Sequence, residues 1–258
     1  MAAPAAQEES TPSTTVMDKN GDVLFELGKD GNTKSRLLVS SKVLSLASPV
    51  FAAMFTHGFR EGENLSASSP RLIPLLGDDP AALTLLCKIL HFRTADIPMT
   101  LDVTALANLA ILCDKYDCAG CVKPWSMLWL PEWVPHADED GFERLLFITY
   151  VLDLPDAFSR VTLALSKTVG GLPKADADCA GYDILPQGLI DQLREKQREL
   201  RLGVCRAIET TISAWLQIAC CDHRSVVGNY FQSLYSVGLW PLSDVTSRLK
   251  VADIQARI

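Results

Sequence analysis

The sequence predicts an α+β domain followed by an all-helical C-terminal region, and three observations predict it. Val23, Phe25 and Leu27 alternate with Leu24 and Glu26, the pattern of a half-buried strand. From residue 41 onward the apolar spacing changes to the i, i+3, i+4, i+7 rhythm of helices. Beyond the Pro131-Glu132-Trp133-Val134-Pro135-His136 break, only helical patterns occur. The expected division is a disordered tail over 1–17, an α+β domain over 18–130 and a helical region over 131–258.

Residues 1–17 are mostly Ala, Pro, Ser, Thr and Glu, with little to bury, which is the reason for expecting disorder. Lys29-Asp30-Gly31-Asn32 is turn chemistry, so the first strand is expected to pair as a hairpin with Arg36–Val39. Ser40 and Ser41 can cap a helix start. Val43, Leu46, Ala47, Val50, Phe51, Met54 and Phe55 then mark one expected buried stripe, interrupted at Pro49. Pro suits the first turn of a helix, and Ser48 before it can cap. Two short helices are therefore expected, about 41–47 and 49–55. Residues 62–70 are a polar loop, and Leu72–Leu76 is an edge or short strand because Pro74 cannot donate to a ladder. Asp78-Asp79-Pro80 opens a helix running to about His91. Asp102 or Thr104 opens the next, with Leu106, Leu109, Ala110 and Cys113 inward, and a third covers 119–130.

In the C-terminal region, helices are expected at Phe142–Val151 and Asp156–Thr168, with a Gly-, Asp- and Pro-rich loop after them. A long helix over about 187–218 buries Leu189, Ile190, Leu193, Leu200, Val204, Ile208, Ile212 and Trp215. Its mixed charges at Arg194, Glu195, Lys196, Arg198, Glu199 and Arg201 face solvent. Val226–Tyr235 and Ser243–Ile254 are shorter expected helices. Trp125 and Trp129 lie one helical turn apart, and at least one is expected to pack in the seam between the two halves.

Composition narrows the function classes. Hydrophobic residues are 48% and charged residues 21% of the 258, a globular balance. The net charge is −7, with −3 before Leu130 and −4 after it, so neither half offers a nucleic-acid backbone a basic footprint. No apolar run approaches the ~20 residues of a membrane span. The N-terminus lacks the basic and apolar segments of a secretory signal. Together with eight Cys, this points to a reducing compartment and free thiols, that is, an intracellular protein of the cytoplasm or nucleus.

No G-x-S-x-G, Walker loop, G-x-G-x-x-G or H-E-x-x-H occurs, so no enzyme is expected and neither catalytic nor cofactor-binding residues are assigned. Asp138-Glu139-Asp140 beside His136 has cation-binding residue types, but a solvated loop at a helix start explains it without a ligand. Cys113, Cys118 and Cys121, with Cys220-Cys221-x-His223, carry zinc-ligand chemistry. Only Cys118 and Cys121 have knuckle spacing, and core packing is the expected role. No metal is assigned.

The stretch Lys34–Gly62, KSRLLVSSKVLSLASPVFAAMFTHGFREG, comes after a Gly21-Asp22-Val23-Leu24-Phe25-Glu26-Leu27 strand and precedes three helices ending past LAILCDKYDC. In that order of parts, residues 20–130 resemble a BTB/POZ domain, and most of all a fungal branch of that family. Many BTB domains carry His-Lys or His-Arg where this chain has Ser41-Lys42. The resemblance implies a BTB/POZ fold, a small sheet with a cluster of helices, extended by the C-terminal helices. It implies a protein–protein interaction module that self-associates as a homodimer. It also implies a candidate substrate adaptor for a cullin-3 ubiquitin ligase. The alternative it leaves open is a dimerising scaffold in transcription or chromatin regulation.

In cullin-binding members a hydrophobic-x-acid triplet comes after the second helix, and Phe59-Arg60-Glu61 resembles it. The partner-binding residues implied are Phe59 and Glu61 with Met54 and Phe55. Thr56, His57, Gly58, Arg60 and Glu61 offer Phe59 little apolar cover, which favours an exposed anchor beside an orienting charge. The competing reading folds Phe59 back onto the core and leaves Glu61 solvated.

Overall fold

The computed structural model describes residues 13–29, 32–56, 58–137, 144–167, 182–217, 223–242 and 254. It is a mixed α+β chain. A four-stranded sheet and nine α-helices occur among the described residues. The chain divides into two compact units, Met1–Pro131 with Val151–Asp153, and Glu132–Tyr150 with Leu154–Ile258.

The sheet of the first unit has the order β1-β3-β2-β4. Strands β2 (Val23–Lys29) and β3 (Asn32–Val39) form an antiparallel hairpin with Phe25 opposite Leu37 and Val23 opposite Val39. The pleat turns Val23, Phe25, Leu27, Leu37 and Val39 to one face, where all are buried. On the other face, Glu26 sits opposite Arg36 and accepts its guanidinium at 2.7 Å. Strand β4 (Arg71–Pro74) adds to β2 in parallel at one edge, with Ile73 buried.

At the other edge the structure corrects an expectation. Residues 13–17 are not a loose tail: β1 (Ser13–Val16) pairs in parallel with β3, and Met17 is buried. All four strand residues are exposed, so they carry no alternation to read. Their order comes from the β3 backbone, where Ser13 is paired with Ser35.

Helix α1 (Ser41–Ala47) starts at Ser40, whose hydroxyl accepts from the Val43 N–H. The Asp22 carboxylate accepts from both the N–H and the hydroxyl of Ser41, tying the helix start to the strand. Helix α3 (Pro80–Leu90) is capped by Asp79, which accepts from the Ala82 N–H at 2.8 Å, with Pro80 in the first turn. Helix α4 (Val103–Lys115) is capped by Asp102 and buries Leu106, Leu109, Ala110 and Cys113, as its spacing predicts.

Helix α5 (Ala119–Trp133) runs through Pro131 rather than stopping before it, and the turn Val134–His136 comes next. A proline deletes one backbone hydrogen bond. Burial on both sides of it, at Trp129, Leu130 and Val134, holds the backbone in place. Trp129 is buried and its Nε1–H donates to the Pro98 carbonyl at 2.9 Å, within the first unit, while Trp125 is half-buried.

The second unit is helical among its described residues. Helix α6 (Arg144–Val151) buries Leu145 to Thr149, and α7 (Pro155–Ser166) buries Val161 and Leu165. The long α8 (Gln187–Gln217) buries Ile190, Leu193, Cys205 and Ile208. It also buries Gln197, whose amide donates to the Leu165 carbonyl at 2.7 Å. Helix α9 (His223–Ser236) packs on α8, with Ile208, Leu234, Leu239 and Ile254 in one cluster and Trp215 edge-on to Tyr230. The expected helix at 243–254 and the loop before α8 lie largely outside the described residues.

Candidate protein-docking site

The site is built on α2 (Pro49–Thr56) and the exit turn at its C-terminal end. Ser48 starts the helix: its hydroxyl accepts from the Phe51 N–H at 3.0 Å and donates to the Tyr116 carbonyl. One side chain therefore fixes both the helix entry and its distance from the end of α4. Phe51 is fully buried and stacks on Tyr116, with ring centres 4.3 Å apart, and on Phe25 at 5.9 Å. Phe55, one turn on, is buried and stacks on Phe51 at 6.1 Å.

Tyr116 is held in turn. Its hydroxyl donates to the buried Asp78 carboxylate, which also accepts from Lys115. Burial, then the Asp78 contact, push the Tyr116 phenol well above its ordinary range, so it stays a neutral donor. Asp117 then takes a left-handed turn, φ +47°, and the Cys118 N–H closes back to the Cys113 carbonyl at 3.0 Å. That turn places Asp117 beside the start of α2.

At its other end, α2 gives way to Gly58 at φ +75°, a conformation Gly adopts without strain. The short turn Arg60–Gly62 folds against the helix end. Gly62 lies so close to Phe55 that an added Cβ would collide with the Phe55 carbonyl. Between these constraints Phe59 points outward and is 54% exposed. His57 lies outside the described residues.

The outer face of α2 and this exit line an open groove of about 560 Å³, bounded by Pro49, Val50, Ala53, Met54, Phe59, Glu61 and Asp117. Three of the four expected partner-binding residues, Met54, Phe59 and Glu61, therefore meet in one place. Phe55 does not join them: at 7% exposed it belongs to the core stack. The single buried stripe expected across residues 43–55 is also corrected. Leu46 is 84% exposed and Val50 and Met54 face the groove, while Phe51 and Phe55 go inward. The break at Pro49 lets each short helix take its own phase, so one period does not run through both.

A second cavity of about 300 Å³, lined by Arg60, Glu61, Arg71, Leu72, Ile73 and Pro74, lies over β4. The sequence alone assigns no role to Arg60, Arg71 or Asp117. They come from separate stretches of chain, and no local pattern links them.

The remaining candidates are structural where they are described. Cys113 and Cys118 are buried side by side, and the hydrogen bond between them and desolvation push the Cys113 thiol far above its ordinary range. Cys121 Sγ approaches the Ala47 carbonyl at 3.8 Å. Among the described residues no group of three or more His, Cys, Asp or Glu is arranged to hold a metal ion. Asp138-Glu139-Asp140, Cys220 and Cys221 lie outside the described residues. No helix among the described residues is long and apolar enough to cross a membrane. No protein-family model matches the chain, and no curated protein matches it.

Proposed function

We propose that the chain is a non-enzymatic protein–protein interaction module of the BTB/POZ type, homodimeric, whose α2 groove docks cullin-3 so that the protein serves as a substrate adaptor of a ubiquitin ligase. One observation carries the reading. An aromatic ring, Phe59, stands more than half exposed at the lip of an apolar groove with the Glu61 carboxylate beside it. Exposed aromatics that enter a partner's pocket, rimmed by charge, dominate binding energy at interfaces. What sets this ring apart from a singly exposed apolar residue is the apolar groove it borders, with Val50, Ala53 and Met54. The self-association part of the reading rests on α1, where Leu46 stands 84% exposed.

The test is a titration of the purified cullin-3 N-terminal region against wild type, Phe59→Ala and Glu61→Lys. Wild type binds. Phe59→Ala loses about 2 kcal/mol or more, roughly thirtyfold. Glu61→Lys weakens binding mainly through a slower on-rate. No binding by wild type removes cullin-3 as the partner, and equal binding by all three proteins removes the groove as the site. Light scattering at micromolar concentration tests the dimer, and a clean 28.2 kDa monomer contradicts it.

A further inference from the structure

We infer that the α2 groove and the cavity over β4 form one docking track, and that its occupant is a short amphipathic helix carrying acidic side chains in the turn that lies over Arg60 and Arg71. The inference rests on the reading of the α2 groove as a docking site and names the chemistry of what docks there.

The two cavities adjoin at Glu61, which lines both. Their lining residues fall in a definite order. Asp117 and Pro49 lie at the start of α2, and Val50, Ala53 and Met54 come next along it. Phe59 and Glu61 lie at its exit, with Arg60, Arg71 and Leu72 beyond. The apolar part is as long as α2, eight residues, or about 12 Å of helix. That matches two turns of a partner helix with anchors at i, i+3 or i+4, and i+7.

Charge selects the far end. Among the described residues the Arg60 and Arg71 side chains make no hydrogen bond and no ion pair, whereas Arg36 on the same sheet is paired with Glu26 and Arg93 with Asp96. In a chain of net charge −7, two unpaired guanidinium groups on one cavity run against the overall sign. Among the described residues Glu61 is the one carboxylate lining that cavity, against two guanidinium groups. A guanidinium presents a donor fork that a carboxylate fits with two hydrogen bonds.

The β4 edge argues against an extended peptide. The Arg71 and Leu75 amides already donate to the Asp22 and Glu26 carbonyls, and the parallel register turns Ile73 the same way. Only the Leu72 N–H faces outward, since Pro74 has none. One donor does not template an added strand, so side-chain anchoring by a helix is the mode that fits.

The test selects a phage library of random peptides of about 16 residues, roughly four helical turns, against the full chain. The strongest peptide is then synthesised and titrated against wild type, Phe59→Ala and the double variant Arg60→Glu/Arg71→Glu, with melting curves as the folding control. The expected peptides carry helical apolar spacing with Asp or Glu within one turn after it. They lose about tenfold or more on the double variant, the worth of one charged hydrogen bond, and they weaken as salt rises. The same library selected on the double variant returns Lys or Arg at those positions. If the double variant fails to fold, Arg60→Gln/Arg71→Gln replaces it, with the same direction and a smaller loss expected. Peptides sensitive to Phe59→Ala but indifferent to both arginines overturn this inference while leaving the α2 groove as a docking site. Peptides indifferent to Phe59 and to the arginines overturn both. A dimer that dissociates in the Arg→Glu variant shows a second copy of the chain on the track and also overturns the inference.

Discussion

Phe55 and Phe59 are four residues apart and chemically identical, yet one is 7% and the other 54% exposed. Phe55 still belongs to the helix, so it repeats the Phe51 direction one turn later and joins the stack with Phe25 and Tyr116. Gly58 breaks that repetition with its positive φ, and Phe59 leaves on the opposite side. The difference shows how one short helix serves two purposes. Its inner face anchors it rigidly, and its outer face, with the exit turn, is presented at a fixed geometry.

Substitutions on the inner face should be the most damaging. Phe51→Ala removes a fully buried ring shared by three stacking partners and should cost about 3–5 kcal/mol, read as a shift in denaturant midpoint at unchanged slope. Phe55→Ala should fall at the lower end of the same range. A cost near zero for either would erase the contrast with Phe59.

Next come the supports of the groove wall. Asp78→Ala leaves the Tyr116 hydroxyl without its acceptor and should cost about 1–3 kcal/mol. Lys115 adds little to that cost, since its side chain is half exposed and returns to water. Gly62→Ala should cost a comparable 1–3 kcal/mol, because the new methyl collides with the Phe55 carbonyl and forces the exit turn away. It should also weaken any groove ligand, an effect that Phe51→Ala need not show if the fold survives.

A smaller effect sharpens the comparison through pH. His91 accepts from the Ser40 N–H at its Nε2 and contacts the Cys87 carbonyl through Nδ1, which requires the neutral ring with its proton on Nδ1. Burial lowers its pKa below the ordinary 6.5, outweighing the opposing pull of the Cys87 carbonyl and Asp18, while Arg93 adds to the lowering. A base whose folded pKa is depressed contributes stability that is present above the unfolded pKa. That stability is lost as pH falls through the folded value. Denaturant midpoints should therefore decline as pH drops below about 6.5, and His91→Ala should remove that part of the slope. An unchanged slope in the variant assigns the pH dependence elsewhere. The smallest change in stability is that of Phe59→Ala, expected within about 0.5 kcal/mol of wild type by thermal melting.

The legible parts of this chain carry their signals locally. Ser48-Pro49, Asp79-Pro80 and Asp102 mark helix starts that the structure places within a residue or two, because capping is decided by three or four neighbours. Strand β1 is illegible because it owes its order to β3 and buries none of its own side chains. The passage of α5 through Pro131 depends on Trp129 and Leu130 being held by the rest of the unit, which no window of sequence reports. At the site, the exposure of Phe59 can be read from its polar neighbours. The burial of Phe55 is legible in its spacing from Phe51, but the family resemblance places it with the partner-binding residues. Asp117 reaches the groove, and Arg71 joins Arg60 on the cavity over β4, only through the fold.

If the outer face of α2 and its exit form the docking surface, hydrogen exchange measured with and without the cullin-3 N-terminal region will show it. Adding the partner should slow amide exchange over 49–62 and 71–74 and leave the α3 and α4 amides unchanged. Binding with no added protection over 49–62, or with protection confined to α1 and β1, would place the docking surface elsewhere on the chain.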